Sequence, residues 1–132
     1  MTRLPDHEPV LRVRPLPKDL NAAGNVFGGW IMAHVDMAGA IPAARRARGR
    51  VVTVAVNAFM FHQPVFKSDL VSFHADVVRE GNTSQAISVE VCSERDPADP
   101  VVVKLTEATL THVAIDDSGK KRPLPPLHTL AS

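Results

Sequence analysis

The sequence predicts an α+β fold, one long helix set against a curved and largely antiparallel sheet. Three observations carry it. The stretch from Gly28 to Arg48 is long and rich in Ala and Met, with few polar side chains. The segments around it alternate apolar and polar residues with period two. Turn-forming residues separate the later segments at short intervals, so the strands from Leu70 onward should form an antiparallel meander.

The helix begins after a polar, Gly-broken loop, Asp19 to Phe27, and runs from Gly28-Gly29 to a basic end, Arg45, Arg46, Arg48 and then Gly49. Cations in the last turn followed by glycine are what a helix C-terminus favours. Apolar residues fall on every face, which predicts a buried central helix, covered on one side by the sheet and on another by a second subunit. Pro42 removes one backbone bond and predicts a bend. A lone carboxylate, Asp36, stands among Ile31, Met32, Val35, Met37, Ala40 and Ile41. His34, Asp36 and Pro42 interrupt the stretch, which is too short to span a bilayer.

Strands are expected at Val10–Arg14, Val51–Phe61, Leu70–Arg79, Gln85–Cys92 and Val101–Ile115. In the second, Val52, Val54, Val56, Ala58 and Met60 alternate with Thr53, Asn57, Phe59 and Phe61. Glu80-Gly81-Asn82 and the Pro-flanked Asp96 to Pro100 supply turns.

At 132 residues the chain reads as a single domain able to bury roughly two-thirds of its unfolded surface. Residues 1–8 form an N-terminal extension and residues 117–132 a Pro-rich tail along the surface. Fifteen Lys and Arg against fourteen Asp and Glu leave a net charge of +1, which excludes a nucleic-acid platform and a polybasic membrane anchor. The one cysteine, Cys92, has no intrachain partner, and the opening MTRLPDHEPV lacks the basic-then-apolar pattern of a secretory leader. A cytoplasmic protein without membrane insertion is expected.

The string Asp19-x-Asn21-x-x-Gly24-x-x-Phe27-Gly28-Gly29, with Asp36 seven residues beyond Gly29, resembles the signature of hotdog-fold acyl-CoA thioesterases in their YciA-like, cytosolic acyl-CoA hydrolase branch. Gly49-Arg50-Val51-Val52-Thr53-Val54, Phe61-x-x-Pro64-Val65 with Asp69, Gly81-x-Thr83-Ser84 and Thr106-Glu107-Ala108 extend the match in order along most of the chain. Ser68 departs from it, standing where the family usually has glycine. The resemblance implies a five- or six-stranded antiparallel sheet curled around the central helix. It also implies homodimers paired sheet edge to sheet edge, active sites at the dimer interface, and trimers of dimers. The expected substrate is an acyl-CoA, the products a carboxylic acid and coenzyme A, and no metal or redox cofactor is called for.

Thioester hydrolysis needs water or a nucleophile delivered to a carbonyl, and donors for the oxyanion that develops. The backbone amides of Gly28 and Gly29 stand at the positive end of the helix dipole, unblocked by side chains, as an oxyanion hole. Asp36 is the general base, or the nucleophile of a mixed anhydride, its reactivity raised by partial desolvation. The resemblance implies that Asn21, by its motif position, helps orient water or the thioester carbonyl in the other subunit's site. The substrate-side set is Phe27, Arg50, Thr83 and Ser84, with Arg50 a candidate for the CoA phosphates and Thr83 and Ser84 for the pantetheine or diphosphate. Structural readings stand beside these. Asn21 also suits a turn, the glycine pair close packing, and Thr83-Ser84 a hairpin flank. Arg45, Arg46, Arg48 and Arg50 suit solvated partners of the helix dipole, and Lys120, Lys121 and Arg122 offer further cations.

No Gly-x-Ser-x-Gly elbow occurs, and the six histidines, at 7, 34, 62, 74, 112 and 128, have no ligand spacing with one another or with Cys92. His34 reads as a polar edge of the helix, His62 as a strand end and Cys92 as an unreactive strand residue. Two other readings remain: a 3-hydroxyacyl-thioester dehydratase, which wants a histidine beside the acid, and a non-catalytic acyl-CoA sensor.

Overall fold

The alternating segments form the strands of one antiparallel sheet that packs against a single helix. The computed structural model describes residues 3–127. In chain order these give β1 (Leu11–Val13), a 3-10 turn (Pro17–Asp19), α1 (Gly28–Ala47), β2 (Val51–Phe61), β3 (Leu70–Glu80), β4 (Ser84–Arg95) and β5 (Val101–Ala114). The order across the sheet is β1-β3-β4-β5-β2, and every pairing is antiparallel. β3, β4 and β5 are the expected meander. β2 pairs only with β5 and forms an open edge. This is the hotdog arrangement that the resemblance implies.

Ile31, Val35, Ala38, Gly39, Ala43 and Ala47 are the buried residues of α1, a spacing that makes one face. They meet Phe73, Ile87, Val89, Val91, Leu105 and Leu110 from the sheet in one apolar core. Gln85 adds a polar tie, its side-chain amide donating to the Ala43 carbonyl at 2.9 Å. The sheet covers one side of the helix, as expected, and the side expected to be covered by a second subunit is open in the single chain: Met32 and Met37 are 48% and 50% exposed, and Asp36 is exposed. One sheet covers one side of a helix, and the apolar residues opposite face outward.

The helix runs unbroken through Pro42 and stops one residue before the expected glycine. Arg48 takes the left-handed conformation, with φ 54°, and the Gly49 amide returns to the Ala44 carbonyl at 3.2 Å. Gly49 serves close approach instead, since a Cβ there would lie 2.7 Å from an Arg122 guanidinium nitrogen. That guanidinium donates to the carbonyls of Ala47 at 2.9 Å and Ile115 at 3.0 Å, so the tail caps the helix. Arg46 is likewise not solvated. It makes a two-pronged pair with Glu80, at 2.7 and 2.8 Å, and donates to the Pro125 carbonyl at 2.7 Å. Residues 128–132, with His128, and the first two residues lie outside the described part of the chain.

One clamp steers the chain into the helix. Arg95 donates to both oxygens of buried Asp69, at 3.0 and 3.2 Å, and to the Pro64 carbonyl at 2.6 Å, with its guanidinium 4.5 Å above the Phe66 ring. Asp69 also accepts from the Phe66 amide at 3.0 Å. The turn so closed bonds the entry loop, the Val26 amide donating to the Val65 carbonyl at 2.9 Å and Asn25 bridging to Phe66. Ser68 fits this turn without a positive φ, which removes the need for glycine there. Asp69→Ala strands the Arg95 guanidinium and should lower the unfolding free energy by about 3 kcal/mol in denaturant titrations. A loss below about 1 kcal/mol would mark the pair as a surface ion pair.

Candidate active site

The entry loop and the first two turns of α1 bring most of the expected machinery to one flank of the molecule. Phe27 is the helix N-cap residue and offers no side-chain cap. The Trp30 amide bonds the Phe27 carbonyl at 3.0 Å, whereas the amides of Gly28 and Gly29 donate to no group among the described residues. A Cβ at Gly29 would meet nothing within 4 Å, and one at Gly28 only the Phe61 ring at 3.7 Å. Packing within the chain therefore does not account for the glycine pair. Phe27 and Phe61, 51% and 53% exposed, flank this helix start.

Asp36 lies about two turns further along, with its Oδ1 accepting a 2.5 Å hydrogen bond from the Thr53 hydroxyl. An O–H···O⁻ contact this short is a charge-assisted bond. The expected desolvation is corrected: within one chain the Asp36 carboxylate is exposed, because the helix face carrying it is the one the sheet leaves open.

Behind Thr53 stands a group the sequence did not bring forward. Thr53 and His112 are cross-strand partners of β2 and β5, and His112 Nε2 lies 3.0 Å from Thr53 Oγ1. His112 is fully buried, and its Nδ1 has no partner. Burial holds its pKa below the ordinary histidine value, with Asp36 pulling the other way. The signal was present in two pieces, a threonine and a histidine each on an alternating segment. Only the pairing of β2 with β5, in this register, joins them.

Asn21 does not touch Asp36. Its Oδ1 accepts from the amides of Ala23 at 3.0 Å and Asn25 at 3.1 Å, so its carbonyl serves the turn. Its side-chain NH2 donates to nothing among the described residues and keeps its orientation from that turn. Thr83 and Ser84 flank the β3–β4 hairpin, where the Gly81 amide bonds the Ser84 carbonyl at 2.8 Å. Arg50 is exposed and reaches the same end of the sheet. Its carbonyl accepts from Ile115, while that of Thr83 accepts from the adjacent Ala114. These three residues lie together, but at the opposite end of α1 from Gly28. The 20-residue helix separates the two groups by about 30 Å. Arg122 is used structurally, as described above.

The remaining titratable residues read as structural. His34 Nδ1 lies 2.8 Å from the Trp30 carbonyl, with its ring stacked on Phe73 at 5.7 Å between centroids. His62 pairs with Glu107 at 3.3 Å beyond the end of β2. The Cys92 thiol is buried and pushed up to about 11 by that burial, which keeps it protonated at neutral pH. Among the described residues, no group of His, Cys, Asp or Glu is placed to hold a metal ion and no helix is long and apolar enough to cross a membrane. A cavity of about 260 Å³ lined by Met60, Glu90 and Glu107 contains none of the site residues. In the single chain the site is an open flank.

Residues 23–98 match the Thioesterase superfamily. The acyl-CoA thioester hydrolase YciA of Salmonella typhimurium is 44% identical over 127 residues, covering 95% of this chain and 96% of that protein. Among solved structures, a hexameric hotdog fold thioesterase of Campylobacter jejuni has a TM-score of 0.86 at 40% identity, covering 90% of this chain and 91% of that one. A hexameric thioesterase from Yersinia pestis has a TM-score of 0.85 at 43% identity, covering 92% and 98%. With the family match spanning more than half of its length and a relative aligned along nearly all of it, the chain belongs to the thioesterase superfamily, as a hotdog-fold member of the YciA-like acyl-CoA thioesterase branch.

Proposed function

We propose that this chain hydrolyses acyl-CoA thioesters to a carboxylic acid and coenzyme A, with Asp36 as general base. Water gives a proton to Asp36 as its oxygen attacks the thioester carbonyl. The oxyanion that forms is met by the amides of Gly28 and Gly29. On collapse the carbon–sulfur bond breaks, and the proton held by Asp36 passes to the departing thiolate. No cofactor enters this balance. The observation that carries the reading is the Asp36 carboxylate, held by one oxygen on Thr53, on the same open flank as two undonated amides at a helix N-terminus. Attack by Asp36 itself, through a mixed anhydride, uses the same residues and is distinguished by trapping the acyl-enzyme with hydroxylamine. The dehydratase reading loses its footing, because His112, linked to the acid through Thr53, is fully buried and so out of reach of a substrate.

The site is completed by a second copy. Val52, Val54, Val56 and Met60 of the open β2 edge are 42% to 54% exposed, as are Met32 and Met37 on the helix. An eleven-residue apolar edge left unpaired is an aggregation hazard unless a partner covers it. Pairing β2 with β2 makes a dimer whose interface desolvates Asp36. It also brings Asn21 of one subunit to the Asp36 site of the other, and Arg50, Thr83 and Ser84 within reach of a CoA bound at the neighbouring helix start. Phe27 and Phe61 line the acyl side. Trimers of such dimers give the hexamer, working in the cytoplasm.

Free-thiol release from a panel of short, long and aromatic acyl-CoAs tests the activity. Asp36→Ala should lower kcat by two orders of magnitude or more, the scale of a lost acid–base group, with its oligomer size unchanged. Wild type that binds acyl-CoA and releases no thiol would instead make this a sensor. Val54→Lys, a charge on the apolar edge, should yield monomers in analytical ultracentrifugation and lose activity with the dimer. Val54→Lys that stays hexameric would move the interface elsewhere.

A further inference from the structure

The Thr53 hydroxyl has one proton and two neighbours. A carboxylate only accepts, so that proton points to Asp36 Oδ1 across 2.5 Å, and a lone pair of Oγ1 faces His112 Nε2 at 3.0 Å. The hydrogen between them must then belong to His112. This makes His112 the Nε2–H tautomer and leaves Nδ1 bare. Nδ1 is indeed the buried atom without a partner. A bare ring nitrogen is the tolerable form there, since Nδ1–H would be a stranded donor and an imidazolium a stranded charge.

The ring has room because of one residue. Gly39 on α1 lies over His112, and a Cβ at that position would be 3.2 Å from Cε1. Gly39 also faces Ile87 and Val89, so the helix packs beside the ring on an apolar stretch of β4. Buried Gln85 stands across from His112 in the β4–β5 register, and its amide is turned to the Ala43 carbonyl. The Thr53 hydroxyl is the ring's one hydrogen-bond partner among the described residues. The helix that carries Asp36 thus also fixes the ring that aims Thr53. Burial favours the neutral ring, with Asp36 pulling the other way.

We propose that His112 is a positioning residue: through its Nε2–H it locks the Thr53 hydroxyl toward Asp36 Oδ1, and so turns Asp36 Oδ2 to the reacting water. Without His112 the Thr53 hydroxyl keeps only its bond to Asp36 and loses the second restraint on Oγ1, so Asp36 is held less firmly in orientation while keeping its charge. The effect falls on kcat, because His112 touches neither substrate nor water. The kinetic part rests on the hydrolase reading; the tautomer does not.

Two measurements decide it. Nitrogen-15 NMR of the wild-type hexamer should show His112 neutral, with the proton on Nε2. A proton on Nδ1, or an imidazolium at neutral pH, overturns the proposal whether or not the chain is a hydrolase. The second is a mutant cycle on acyl-CoA hydrolysis, with folding and oligomer size checked for each variant. His112→Phe, which fills the ring's place without a donor, should lower kcat about tenfold with KM within about twofold. Thr53→Val should do the same, and Thr53→Ser should recover most of the loss. The double variant, Thr53→Val with His112→Phe, should be no slower than Thr53→Val alone, the non-additivity of a shared path. An unchanged kcat in His112→Phe, or losses that multiply in the double variant, overturns it.

Discussion

A single sheet covers one side of a single helix, and much else in this molecule follows from that constraint. The buried face of α1, from Ile31 to Ala47, is satisfied by β3, β4 and β5. The opposite face carries Met32 and Met37 half exposed, and β2 presents a row of apolar side chains at an unpaired edge. Covering the exposed half of one such side chain contributes about 1 kcal/mol, so several of them together favour association. The same geometry leaves Asp36 exposed at the boundary between covered and uncovered, on the flank over which the proposed dimer would close.

Precision at that boundary comes from polar contacts that do not touch substrate. The Asp69–Arg95 clamp closes the turn that bonds Asn25 and Val26, and these lead directly into the helix start with its two free amides. Arg122 and Arg46 hold the other end of α1 through backbone carbonyls and Glu80. The helix is thus fixed at both ends, and the positions of Gly28, Gly29 and Asp36 along it are set by these anchors.

The strands were legible because period-two alternation reflects a half-buried surface. β2 matched its expected limits, and the meander followed from the turns between its members. The sequence showed that one sheet could not cover every apolar face of the helix but not which residues it would leave, and in the single chain these are Met32 and Met37. The helix end was misplaced by one residue because Gly49 makes way for Arg122, a contact between segments far apart in the chain. The Asp36–Thr53–His112 line was hidden for a related reason. Alternation tells which face a residue occupies, not which residue of another strand stands opposite, and β2 and β5 are separated along the chain by β3 and β4. Asn21 was legible as a motif residue, while the turn held by its Oδ1 is the structural half of its role.

The central claim is that Asp36 and Asn21 work in one site built from two subunits. The direct measurement mixes Asp36→Ala and Asn21→Ala subunits by co-refolding, confirms hetero-oligomers by native mass spectrometry, and follows thiol release from an acyl-CoA. The account predicts that mixed oligomers recover activity above both parents, because some interfaces then pair an intact Asp36 with an intact Asn21. Confirmed hetero-oligomers no more active than their parents would contradict it, and would confine catalysis to residues of a single chain.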